Sequence, residues 1–115
     1  MKFKYLLVVD GNTWASRIQT YLQTNSIILY NGVFTDHYLW MLKPWVHYVP
    51  IRTDLADLDE KLEWLIANDK KAQSIVENAN AFMHEIGRYE HLQCYAGLLM
   101  QEYGRIFGTP LASFL

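Results

Sequence analysis

The chain has 115 residues, 51% of them hydrophobic, with ten basic and twelve acidic side chains and a net charge of −2. That is enough apolar material for one core of ordinary domain size, so extended disorder is excluded and so is a global field that would attract nucleic acid. The single cysteine, Cys94, excludes an internal disulfide, and no apolar run approaches the roughly 18 residues needed to span a membrane.

The chain opens on a short apolar run, Phe3 to Val9, bounded by Asp10-Gly11-Asn12. Its five apolar residues after Lys4 are too few for the core of a secretory signal. A nearly continuous run of this length fits a strand buried on both faces, as in a parallel sheet. Asn12 or Thr13 can cap a following helix whose apolar face is Trp14, Ile18, Tyr21 and Leu22. Asn25 ends it. Ser26 to Tyr30 reads as a second strand, and Asn31-Gly32 is a turn signal. Phe34 to Leu42 reads as a short aromatic helix stopped by Pro44, and Trp45 to Ile51 as a third strand. Strand, helix, strand in this order predicts parallel pairing with right-handed crossovers.

After Asp54 the pattern is helical. Leu55, Leu58, Leu62, Leu65 and Ile66 form one stripe, interrupted at Asn68-Asp69. Ala72, Ile75, Val76, Ala79, Phe82, Met83 and Ile86 form a second, closed by Gly87. Leu92, Tyr95, Ala96, Leu99, Tyr103, Ile106 and Phe107 form a third, closed by Gly108. All three stripes, with Cys94 beside the third, are expected to be core. Three strands early and three helices late, where a complete doubly wound sheet has five or six strands, read as half of such a domain.

The chemistry concentrates at the first strand–turn–helix. Ligands of parallel α/β sheets sit beyond the carboxyl ends of the strands, where a helix N-terminus favours an anion. Gly11 permits a close backbone approach there. Arg17 falls about one turn into the expected helix, where the dipole disfavours a cation unless an anion such as a diphosphate lies between them. A carboxylate partner such as Asp10, or water, would satisfy it equally. Neither Gly-x-Gly-x-x-Gly nor Gly-Lys-Ser/Thr is present. Asp10 admits a second reading, a magnesium-dependent nuclease or an aspartyl-phosphate phosphatase, which needs further carboxylates at neighbouring strand ends. Asp36 and Asp54 stand a few residues beyond those ends. His84-Glu85 and Glu90-His91 lack zinc-helix spacing and read as surface helix ends.

Two segments in order resemble a known family. Lys4-Tyr-Leu-Leu-Val-Val-Asp-Gly-Asn-Thr-Trp-Ala-Ser-Arg17 is similar to the hallmark segment of the CAP10-like, protein O-glucosyltransferase family. Leu42-Lys-Pro-Trp-Val-His-Tyr-Val-Pro-Ile51, followed by Asp54-Leu55 and Asp57-Leu58, is similar to its second. The helical region matches as well, so the resemblance covers about residues 4 to 107.

The resemblance implies an α/β, Rossmann-like three-layer domain: the C-terminal, donor-binding half of a GT-B glycosyltransferase, over residues 1–108, with 109–115 a tail. It implies transfer of glucose or xylose from a UDP-sugar to a hydroxyl of a protein or glycan, with no metal and no cofactor beyond the sugar donor. Arg17 would clamp the diphosphate, with Ser16, Ala15, Gly11 and Asn12 along the donor. Trp45, His47 and Tyr48 would wall the nucleotide side, and Asp36 stands where relatives carry an acidic residue. The family's catalytic base lies upstream of the matched region, so no catalytic residue is expected within this chain. A half of this kind is expected to be inactive alone, to need an N-terminal half or to self-associate, and in a eukaryote to work in the lumen of the secretory pathway. A non-catalytic interaction module that kept the fold is the alternative.

Overall fold

The computed structural model describes residues 2–13, 15–33 and 38–108. In chain order the elements are strand β1 (Tyr5–Val9), helix α1 (Arg17–Tyr21), strand β2 (Ile27–Asn31), a 3₁₀ turn (Leu39–Met41), strand β3 (Val49–Pro50), and helices α2 (Leu58–Ala67), α3 (Asp69–Ile86) and α4 (Tyr89–Phe107). Two compact units divide the chain, Met1–His84 and Glu85–Leu115.

The first unit is built on a parallel sheet in the order β1-β2-β3. Tyr5 to Val9 pair in register with Ile27 to Asn31, and Leu29 and Tyr30 with Val49 and Pro50. Because successive side chains of a strand point to opposite faces, odd- and even-numbered residues of β1 and β2 divide between the two sides. Ile27, Leu29, Val49 and Ile51 form a buried cluster with Leu65 of α2 and Ala72 and Ile75 of α3. Val8 and Ile28, pointing the other way, are equally buried, as are Ile18 and Leu22 around α1. Four consecutive buried residues in β2, Ile27 to Tyr30, mark it as the central strand, covered on both faces. The α/β, Rossmann-like character expected of the sequence is therefore present.

The expected elements differ from the observed ones in three places. First, α1 has only five residues, so it begins at Arg17 and not a turn earlier. Ser16, not Asn12 or Thr13, stands at its N-cap, and no side chain caps it. Asp10 has taken over that loop instead, accepting the Ala15 N–H. Trp14 and the first half of the expected aromatic helix, residues 34–37, lie outside the described residues. Second, the third strand is two residues long. Trp45 has φ 64°, which takes the chain out of extended geometry, and its N–H donates to the Tyr48 carbonyl at 2.7 Å. Lys43 to Tyr48 is thus a turn leading into β3.

Third, the stripe on α4 is not core. Leu98, Leu99, Tyr103, Ile106 and Phe107 are each more than half exposed, and Cys94 is exposed with them. Hydrophobic spacing reports that a helix is amphipathic; it does not supply what covers the apolar face. The helix itself ends as expected, with Gly108 in the left-handed conformation at φ 68°.

Burial decides which leucines matter to stability. Leu65 is fully buried, so Leu65→Ala is expected to cost about 2–5 kcal/mol in urea unfolding. Leu98, 60% exposed, should cost no more than about 0.5 kcal/mol on the same change. Equal losses would contradict the assignment of the core to the sheet and the faces of α2 and α3.

Candidate functional site

The three strands end side by side, and the loops that leave them enclose a cleft of about 380 Å³ lined by Val9, Asp10, Gly11, Asn31, Val33, Thr53 and Leu55. Parallel sheets place ligands at this end because the strands deliver their exit loops there together. Asp10 organises it. One carboxylate oxygen accepts the Ala15 N–H at 3.2 Å and the other accepts the Val33 N–H at 2.7 Å. The loop after β1 is thereby tied to the loop after β2.

Arg17 is bonded to a residue that lines the cleft. Its guanidinium donates to the carbonyl of Val9, the last residue of β1, at 3.1 Å. That bond uses one of five donors, and the side chain is otherwise exposed. A helix of five residues has a small dipole, so the anion-binding capacity of this corner rests on the guanidinium. Gly11 bonds to the Thr13 carbonyl within the same loop, and a Cβ added to it would meet nothing. Its openness faces the cleft. Ala15 is buried and Ser16 and Asn12 are exposed beside it.

Behind the cleft stands Tyr30. A Cβ on Gly32 would collide with the Tyr30 ring and hydroxyl, so the phenol lies directly over the glycine. Tyr48 packs edge-on against Tyr30 at 5.3 Å. Burial holds both phenols above their ordinary value, and the charge of Asp10 adds to the shift at Tyr30. The structure thus brings Gly11, Asn12, Ala15, Ser16 and Arg17 together at one corner, with Tyr48 behind them. It takes Trp45 and His47 elsewhere: Trp45 packs on Trp64 of α2, and the His47 ring lies 5.0 Å from Phe82 of α3. Asp36 lies outside the described residues. The signals that sequence reading missed are Gly32, dictated by a ring two residues earlier, and Asp10 as a loop clamp.

Among the described residues no three histidine, cysteine or acidic side chains gather as a metal site. Asp54 is engaged with the Arg52 guanidinium and the Ala56 N–H.

The model of glycosyl transferase family 90 matches residues 1–111. The chain belongs to that family. It is 33% identical over 106 residues to protein O-glucosyltransferase 2 of Danio rerio, which covers 91% of this chain and 21% of that protein. The human protein O-glucosyltransferases 3 and 1 are 33% and 32% identical over 103 and 105 residues. These cover 89% and 90% of this chain and 20% and 27% of those proteins. The chain thus spans about a fifth to a quarter of the length of the curated relatives it matches. For a family 90 member, the segment from Lys4 to Arg17 is the one that folds into the cleft corner.

His47 gives this region a pH signature. Its Nδ1 accepts the Lys43 N–H at 2.9 Å, so the neutral ring carries its proton on Nε2. Burial first, and the Lys43 charge second, hold its pKa below the ordinary 6.5. A base whose folded value is depressed loses stability as pH falls through its unfolded value towards the folded one. The melting temperature should accordingly fall as pH drops below about 6.5, and His47→Asn should flatten that fall. An unchanged slope in the variant would contradict the assignment.

Proposed function

We propose that these residues form the donor side of an inverting glycosyltransferase, one that takes its sugar from a UDP-sugar and passes it to a hydroxyl of a protein or glycan. The observation that carries this is the Arg17 guanidinium, anchored on the carbonyl of Val9, which is the last residue of β1 and lines the strand-end cleft. Family membership supports it, and so does the name glucosyltransferase borne by the relatives.

In such a transfer the acceptor oxygen bonds to the anomeric carbon as the bond from that carbon to the diphosphate oxygen breaks. The electron pair goes to the departing UDP, and the acceptor proton goes to a base. Negative charge develops on the diphosphate, so a fixed cation beside it lowers the barrier. Arg17 supplies that charge as a planar fork able to hold two phosphate oxygens, and Gly11, Asn12, Ala15 and Ser16 lie along the donor. In this reading no metal is required, and the base and acceptor surface are contributed by residues other than these.

Charge-assisted hydrogen bonds contribute about 1.5–3 kcal/mol, which is roughly ten- to a hundredfold in affinity. Calorimetric titration with EDTA present should show binding of UDP but not uridine. Arg17→Ala should weaken UDP by at least about tenfold, and Arg17→Lys should weaken it less. Equal UDP affinity in Arg17→Ala and the parent chain would refute the role of Arg17. Robust sugar transfer by the purified chain alone would refute the division of labour.

A further inference from the structure

A second cavity, of about 380 Å³, shares no lining residue with the strand-end cleft: Trp45, Trp64, Lys71, Ser74, Ile75 and Asn78 enclose it. The two indoles come from different elements, Trp45 from the turn before β3 and Trp64 from α2, and meet edge-on at 5.0 Å. The other four residues are successive positions of one face of α3, at the spacing a helix requires.

Three independent features set this place apart from ordinary packing. Trp45 adopts φ 64°, a conformation costly to any residue with a Cβ and rare for a bulky one. The turn is over-determined by the Trp45 N–H to the Tyr48 carbonyl, the His47 N–H to the Lys43 carbonyl, and the Lys43 N–H to His47 Nδ1. The strained residue is nevertheless 40% exposed, so the turn presents the indole rather than hiding it. Then each indole carries a lysine: Lys61 Nζ stands 4.9 Å from the Trp45 ring and Lys71 Nζ 5.9 Å from that of Trp64. Neither lysine forms an ion pair with a carboxylate among the described residues. Finally, Ser74 and Asn78 add a hydroxyl and an amide along the same wall.

We propose that this cavity is a carbohydrate-binding site for a pyranose bearing a carboxylate, separate from the donor cleft and independent of how that cleft is used. An indole face packs against the C–H groups of a pyranose, and the adjacent amide and hydroxyl match its hydroxyls. Lys71 on the wall and Lys61 over the Trp45 ring, neither with an acidic partner among the described residues, select an anion at the sugar's edge. A neutral sugar would use the indoles and leave both cations unanswered.

The test is NMR observation of the indole N–H signals while titrating methyl β-glucuronide, methyl β-glucoside and UDP in turn. The glucuronide should move the Trp45 and Trp64 signals saturably, with at least about a fivefold preference over the glucoside. Lys61→Gln with Lys71→Gln should remove the preference. Trp45→Gly suits the positive φ, so the chain should still unfold cooperatively despite the lost packing on Trp64, and glucuronide binding should be abolished. Glucuronide that leaves both signals unmoved, binding that survives Trp45→Gly, or UDP that moves these signals would each overturn the proposal.

Discussion

A single carboxylate holds the functional end of this chain together. Asp10 is the first residue after β1, and it accepts one N–H from its own exit loop and one from the exit loop of β2, twenty-three residues away. Loops leaving adjacent parallel strands have no ladder to join them, and their N–H groups need partners. With Asp10 in place the two loops move as one, the cleft between them has a fixed floor, and α1 starts where Arg17 meets the Val9 carbonyl. Tyr30 and Gly32 complete the arrangement from behind, since the phenol fits only because residue 32 has no side chain.

That clamp also assigns the charges. Each Asp10 oxygen accepts a backbone N–H, so the carboxylate ties the two loops together. Arg17 spends one donor on a carbonyl and keeps the rest of its fork at the cleft mouth. The result is a corner whose fixed negative charge is answered by the backbone and whose fixed positive charge faces outward. In the proposed function such a corner would accept a diphosphate without the reorganisation that would raise the barrier to its departure.

Much of this was legible in the residues. The apolar runs at Phe3–Val9 and Ser26–Tyr30 announced parallel strands, and the breaks at Asn68 and Gly87 marked where α2 and α3 end, while their starts differ by three residues from the stripes that begin at Leu55 and Ala72. What periodicity could not show was partnership. The stripe from Leu92 to Phe107 is as regular as the others yet lies exposed, because spacing describes a face and not its cover. Trp45 to Ile51 reads as a strand by composition, but a positive φ at its first residue turns most of it into a loop. The clustering of Gly11 and Arg17 after β1 was visible in the sequence. That Trp45 and His47 lie apart from them was not, since only the fold shows that these residues pack on α2 and α3.

The central claim is that a nucleotide diphosphate sits at the Asp10–Arg17 corner and nowhere else on these residues. Backbone amide mapping by NMR during titration with UDP addresses it directly. The account predicts shifts at Gly11, Asn12, Ala15, Ser16, Arg17 and Val33, with the amides of α3 unmoved. Shifts gathered on α3 around Lys71, Ser74 and Asn78, with the first loop silent, would contradict it.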